Sequence, residues 1–252
     1  MCAFGLVLAE STFGQVVSSN IVGYYNLTMQ PGVNLIAEQF LSSPDNTLDS
    51  ILNAGSSNGG LPNNAAFAMW SNGAFLRWSF YNASLNSWSI NYSLNLGQGG
   101  YLESPSSFVN VFLGSVGPYF VDGSAYNVGW TPNYPNGLQL ISDPTPFSQG
   151  LDKEFFNVTG RNPVNGEGVA IWDPVTQTYN ISYYTSGIGW QNQNRTGPSS
   201  ATLNVGAAAW FDLGGNYDMP NPLPSPAAVP EPGILALASL GSLALLILRR
   251  HQ

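Results

Sequence analysis

Short runs of aromatic and branched residues, cut by Asn, Gly, Ser and Pro, fill most of this chain. Residues 75–81 (Phe-Leu-Arg-Trp-Ser-Phe-Tyr) and 89–94 (Ser-Ile-Asn-Tyr-Ser-Leu) partly alternate apolar with polar side chains, which predicts two strands. Between Trp70 and Phe75, Ser71-Asn72-Gly73-Ala74 predicts a hairpin, because Asn-Gly accepts the positive φ of a type I′ turn. Asp173-Pro174-Val175-Thr176 predicts a second turn with proline at a favoured position. A helical pattern is expected only over residues 46–53, where Leu48, Ile51 and Leu52 share a face and Asp49 supports the first turn through the helix dipole.

The pattern recurs. Trp70 and Trp88 stand 18 residues apart, as do Trp172 and Trp190. Ala66-Phe67-Ala68-Met69-Trp70 answers Gly168-Val169-Ala170-Ile171-Trp172, and Phe80-Tyr81 answers Tyr183-Tyr184. Leu94-Asn95-Leu96-Gly97 with Tyr101-Leu102 corresponds to Leu203-Asn204-Val205-Gly206 with Trp210-Phe211. Val22-Gly23-Tyr24 and Gly32-Val33-Asn34-Leu35-Ile36 match Val128-Gly129-Trp130 and Gly137-Leu138-Gln139-Leu140-Ile141 at offsets of 106 and 105. Ordered blocks at near-constant offset point to common ancestry of two copies of about 95 residues, too long for solenoid units. The expected fold is all-β: two similar, sequence-duplicated units, sandwich- or barrel-like, over residues 15–117 and 118–217.

The end of the chain has a different character. Residues 218–228 hold Pro220, Pro222, Pro224 and Pro226, predicting an extended, solvated linker. Val229-Pro230-Glu231-Pro232 then leads into an uncharged apolar run, 233–248, stopped by Arg249-Arg250. As a helix, sixteen residues cover about 24 Å, short of a hydrocarbon core of about 30 Å. The two arginines favour a cytoplasmic C-terminus and so place the body across the membrane. Pro230 and Pro232 keep the motif extended and accessible. This order over residues 229–252 closely resembles the PEP-CTERM signal of bacterial exported proteins. The resemblance implies a transmembrane sorting helix that anchors the chain transiently, with an exosortase as processing partner. A permanent single-span anchor is the alternative reading of the same residues. At the other end, residues 3–9 are apolar and followed by small residues, which predicts a signal peptide over 1–14 with cleavage after Gly14. No Lys or Arg precedes it, so the start is expected to fall inside a longer signal.

Residues 15–26 (Gln-Val-Val-Ser-Ser-Asn-Ile-Val-Gly-Tyr-Tyr-Asn), followed by Pro31-Gly32-Val33-Asn34-Leu35-Ile36-Ala37, resemble the opening of uncharacterised exported proteins of Verrucomicrobia and their relatives. Residues 94–102 are similar to a Leu-x-Pro-Gly-Glu-Gly-Ala-Phe stretch of those proteins. Gln98 and Gly99 stand where the family often has Glu-Gly, and the second copy has Ala207 and Ala208. The resemblance implies no activity.

Charge and reactive residues narrow the function classes. The net charge is −8, and the body between residues 15 and 229 carries all of it, with 12 acidic and 4 basic residues. Such a body lacks the Lys/Arg surface that nucleic-acid binding needs. The sole cysteine, Cys2, falls in the signal segment, so no disulfide staples the mature chain, and the core must suffice. The sole histidine, His251, belongs to the tail, which leaves no parts for a histidine triad or a histidine metal site. Glu38, Glu103, Glu154 and Glu167 are the glutamates available for two-carboxylate glycoside chemistry, the last three without counterparts between the copies. Asp143, Asp152, Asp173 and Asp212 are read as turn-forming rather than calcium-ligating, and neither metal nor cofactor is expected. Trp70, Trp172, Trp88 and Trp190 recur at equal places and are expected in the core. Trp78, Trp130 and Trp210 remain as candidate ring platforms for a carbohydrate.

The expectation is an exported cell-surface or exopolysaccharide-matrix protein with a noncatalytic structural role. A carbohydrate-binding module and a glycoside-active enzyme are the alternatives.

Overall fold

A computed structural model describes residues 22–42, 44–53, 60–115, 134, 136–144, 147–215, 219–220 and 222–226. The signal segment 1–14, Trp130 and the tail 229–252 lie outside them. Strands dominate the described residues. The first half holds β1 (Val22–Met29), β2 (Gly32–Ala37), β3 (Ala66–Ser71), β4 (Ala74–Phe75), β5 (Ser79–Asn82), β6 (Ser87–Trp88), β7 (Gly99–Ser104) and β8 (Phe108–Ser115). The second holds β9 (Gly137–Ile141), β10 (Gln149–Gly150), α1 (Leu151–Thr159), β11 (Gly168–Asp173), β12 (Thr178–Thr185), β13 (Gly189–Asn192), β14 (Thr202–Leu203) and β15 (Ala209–Leu213).

Two antiparallel sheets carry the architecture, in the orders β2-β7-β3-β5-β6 and β9-β15-β11-β12-β13, with β4 extending β3. Each places its last strand between its first and second. The registers also agree position by position. Leu35 faces Tyr101 and Ala68 faces Tyr101 in one sheet; Leu140 and Ala170 face Trp210 in the other. Tyr81 opposite Trp88 is matched by Tyr184 opposite Trp190. Between the sheets the backbone contacts are reciprocal: Ile36 bridges Ala207, and Ile141 bridges Gln98.

Each sheet is covered on both faces, which is why β3 reads as a continuous apolar run. Between the sheets, Leu35, Trp70 and Tyr101 meet Leu140, Ala170, Tyr183 and Trp210 in a shared core. Outside the first sheet, Met29, Phe108 and Phe112 of the β1–β8 ribbon and the π-helical turn Asp49–Asn53 cover Phe67, Met69, Trp88 and Leu102. Outside the second, Leu151, Phe155 and Val158 of α1 cover Val169, Trp190 and Phe211.

The hairpin at Asn72-Gly73 forms as the pattern predicts, with φ of 52° and 81° and Trp70 opposite Phe75. The helical turn near Leu48, Ile51 and Leu52 also forms, those three buried, although Asp45 rather than Asn46 supplies the capping carboxylate to Thr47 and Ser50.

Four expectations need correction. Residues 75–81 are not one strand. Phe75 pairs with Trp70 while Phe80 pairs with Ala66, so five steps on one strand oppose four on the other. The extra residue is a bulge that takes residues 77 and 78 out of the ladder, while Leu76 still donates its N–H to the Met69 carbonyl at 2.8 Å. Residues 89–94 leave the sheet as well, because the Ser79 hydroxyl substitutes for the ladder at Ile90. Its Oγ donates to the Ile90 carbonyl at 2.6 Å and accepts the Ile90 N–H at 3.0 Å. Helix α1 was not expected, since Glu154 and Asn157 sit on its buried face and interrupt the apolar period. It ends at Gly160, whose φ of 72° supplies the left-handed cap. The linker is not wholly solvated either. Met219 and Leu223 are buried in the shared core, and the Pro224 carbonyl accepts the Tyr101 hydroxyl at 3.1 Å. Alternation with prolines leaves these two apolar side chains free to insert where a helix could not form.

Among the described residues no helix is long and apolar enough to cross a membrane.

Candidate functional site

The sequence-predicted platforms separate in the structure. Trp210 is 0% exposed. Its ring meets Trp70 edge-on at 4.8 Å and Phe75 at 6.0 Å. Its Nε1 donates to the Tyr179 hydroxyl at 3.3 Å. A ring with no exposed face cannot stack on a solvent-borne sugar, so Trp210 is a core residue. The inward side of β15, which is paired on both edges, puts it there. Trp78 is half-buried and packs partly against the shared core, its position set by the bulge. Trp130 and the sorting residues Val229, Pro230, Glu231, Pro232, Arg249 and Arg250 lie outside the described residues. Of the four tryptophans expected inside, Trp70, Trp88 and Trp190 are buried, and Trp172 is half-buried.

Trp172 borders a cleft of about 60 Å³ between the halves. Leu27, Thr28 and Asn34 line it from one half, Ile171, Trp172 and Asn204 from the other, and no lining side chain is ionisable. Its walls are fixed by contacts that cross between the halves. The Trp172 indole donates to the Val33 carbonyl at 2.8 Å. Gln177 accepts the Val33 N–H and donates back to its carbonyl, both at 3.0 Å. Asn34 is committed to Gln30, accepting its N–H at 2.8 Å and donating to its carbonyl at 2.9 Å. Chemically this is a small, neutral, mostly apolar recess with one indole edge. It can hold an uncharged group of a few atoms and offers no acid, base or nucleophile.

The carboxylates gather elsewhere. Glu38 follows β2 and Asp143 follows β9; both are buried, at 0% and 1% exposure. They occupy equal places, two residues beyond Ile36 and Ile141, so the aligned blocks carried this signal and needed only extension. Glu103 likewise has a counterpart, since it faces Val33 and Ala66 as Asp212 faces Leu138 and Gly168. The expectation that Glu103 lacks a matching acid is corrected by this register.

At Glu38, Oε1 accepts the Phe40 N–H at 2.6 Å, while the buried Oε2 and the Tyr25 hydroxyl have no partner. Burial, offset in part by the Phe40 and Gln39 amides, pushes the carboxyl up to about 7. Burial first, and the charge of Glu38 second, hold the Tyr25 phenol well above its ordinary value. Asp143 Oδ2 accepts Asn157 Nδ2 at 2.7 Å and Gln149 Nε2 at 3.4 Å. Facing it, Glu154 of α1 is 1% exposed and accepts the Gln149 N–H at 3.0 Å. Burial and then the charge of Asp143 push Glu154 up to about 9. Gln39 ties the group to both halves, accepting the Gly206 N–H at 2.8 Å and donating to the Asp143 carbonyl at 2.7 Å.

The remaining acids have local duties. Glu167, fully buried, holds Arg161 through both carboxylate oxygens and accepts the N–H groups of Val164 and Gly214. Asp173 shapes its own turn through Val175 and Thr176, whose hydrogen bonds hold its carboxyl below the ordinary range. Asp152 lies in α1 and Asp212 in β15. Among the described residues no three His, Cys, Asp or Glu side chains are grouped to hold a metal ion.

The chain matches no family model, no curated protein and no solved structure.

Proposed function

We propose that this chain is an exported, noncatalytic building element of the cell surface or exopolysaccharide matrix, delivered by its tail and released by an exosortase-type enzyme. The observation that carries the reading is the order of the tail: Val229-Pro230-Glu231-Pro232, an uncharged apolar run over 233–248, then Arg249-Arg250. An extended motif before a short apolar helix with a basic end suits a sorting signal held at the far face of the membrane. The body fits a structural part, since most of its described tryptophans pack its interior and its cleft holds no ionisable group.

The body is read further as two duplicated units forming a sandwich-like whole. Equal strand order, equal registers and the reciprocal bridges Ile36–Ala207 and Ile141–Gln98 support that reading.

Mass spectrometry of the mature C-terminus from the native host tests the sorting step. The exported protein is expected to lack residues 233–252, and Pro230→Ala with Pro232→Ala is expected to leave a membrane-retained precursor. Recovery of intact 233–252 peptides from the exported protein would reduce the tail to a permanent anchor and end the exosortase reading.

The cleft beside Trp172 favours a second reading, in which the body seats one small uncharged substituent of a saccharide against the indole ring. A glycan array with the full chain separates the two. Saturable binding lost in Trp172→Ala supports the module; silence across the array supports a purely structural part.

A further inference from the structure

Glu38 and Asp143 directly follow the residues that bond across the two sheets, and Glu154 faces Asp143 from α1; the proposed function uses none of these three buried acids. Ala37, just before Glu38, donates its N–H to the Gly206 carbonyl at 3.0 Å. Ser142, just before Asp143, donates to the Gly97 carbonyl at 2.9 Å. These are the same bond made twice, once from each half. Gln39 adds a third link, from the segment after β2 to Gly206 and Asp143.

The surroundings do not suit ionised carboxylates. From β1, Glu38 faces the unpartnered Tyr25 hydroxyl, a neutral phenol held well above its ordinary value by burial and then by Glu38, which supplies no positive charge. Glu154 faces Asp143, a like charge with which it can share a hydrogen bond only while one of the two carboxyls keeps its proton. The nearest cations in sequence are engaged or turned away: Arg161 pairs with Glu167, and Lys153 is exposed on α1. Two ionised carboxyls in contact inside a dry seam repel each other and forgo hydration, so one proton must stay.

We propose that Glu38 and Glu154, the latter set against Asp143, form a proton-held latch, which keeps the two sheets seated while the two glutamates retain their protons and loosens the seam as the medium turns alkaline. The direction follows from linkage. Both glutamates are raised from 4.5, to about 7 for Glu38 and about 9 for Glu154. Above the ordinary glutamate value the opened chain binds fewer protons than the closed one, so closure weakens with rising pH. The contribution is full below pH 4.5 and is lost as the pH climbs through the two raised values. Water reaching the ionised pair in the open state is what the closed seam denies it.

Three measurements on the full-length chain test the latch. In urea titrations followed by tryptophan fluorescence, the unfolding constant is expected to rise by up to about a hundredfold per pH unit between pH 5 and pH 7, where both glutamates differ in protonation, and by up to about tenfold per unit from there to pH 9. Glu38→Gln with Glu154→Gln should cut the whole rise to less than about threefold, since neither amide titrates. The amide protons of Ala37 and Ser142 should exchange faster at pH 9 than intrinsic chemistry requires, and lose that excess in the double variant. The unmodified chain at pH 7 should also show the infrared carbonyl band of a protonated carboxylic acid, a readout that holds even if the variant fails to fold. An unchanged slope in the folded variant, or no protonated-acid band in the native chain, overturns the proposal.

Discussion

Trp210→Ala is expected to destabilise the body by about 3–5 kcal/mol, the usual cost of deleting a large buried ring. The ring is fully enclosed between the sheets, against Trp70 and Phe75. It also starts a chain of hydrogen bonds in which every donor finds an acceptor. Its indole N–H donates to Tyr179, the Tyr179 hydroxyl contacts that of Tyr101, and Tyr101 donates to the Pro224 carbonyl. Removing the indole therefore opens a cavity and leaves Tyr179 short of one donor, while Trp210→Phe keeps most of the area and loses about 0.5–1.5 kcal/mol for the missing bond. Urea midpoints for the two variants check the split. A midpoint unmoved in Trp210→Ala would mean that the ring is exposed, and would return it to the candidate sugar platforms.

The second large effect is expected at Glu167. Its carboxylate is fully buried and satisfies four donors: both terminal nitrogens of Arg161 and the backbone N–H groups of Val164 and Gly214. Glu167→Ala strips all of them at once and is expected to cost about 2–5 kcal/mol, chiefly from leaving the Val164 and Gly214 N–H groups without an acceptor. Arg161→Ala should cost less, because the Arg161 side chain is 42% exposed and the carboxylate keeps its two backbone donors. Equal losses in both variants would show that the pair, rather than the carboxylate and the loop it gathers, sets the stability there.

The sequence made legible whatever repeats. Trp70 with Trp172, Trp88 with Trp190, and Tyr101-Leu102 with Trp210-Phe211 occupy the same register positions in their sheets, and the Asn72-Gly73 hairpin follows from backbone preference alone. It hid whatever a single side chain decides. No strand propensity anticipates that the Ser79 hydroxyl captures Ile90, or that one extra residue bulges between Phe75 and Phe80. Helix α1 was masked by its own chemistry, since Glu154 and Asn157 fill buried positions where an amphipathic pattern calls for apolar residues. The burial of Met219 and Leu223 depends on a gap between the sheets that no local pattern encodes. Alternation along β15 was visible, but which of its sides faces the second sheet was not, and that choice moved Trp210 from surface candidate to core.

The strand order carries a temporal consequence. In each sheet the final strand lies between the first and the second, with β7 pairing to both β2 and β3 and β15 to both β9 and β11. A chain emerging from its N-terminus thus holds the first and second strands apart, with unpaired edges, until the fifth arrives to join them. The strands β3-β5-β6 and β11-β12-β13 can form as consecutive hairpins, but the first strand of each sheet must wait for the last, some 62 to 76 residues distant in sequence. Such pairing is slow to form. Until its last strand arrives each sheet keeps open strand edges, exposed to any factor that must thread, hold or carry the chain before it closes.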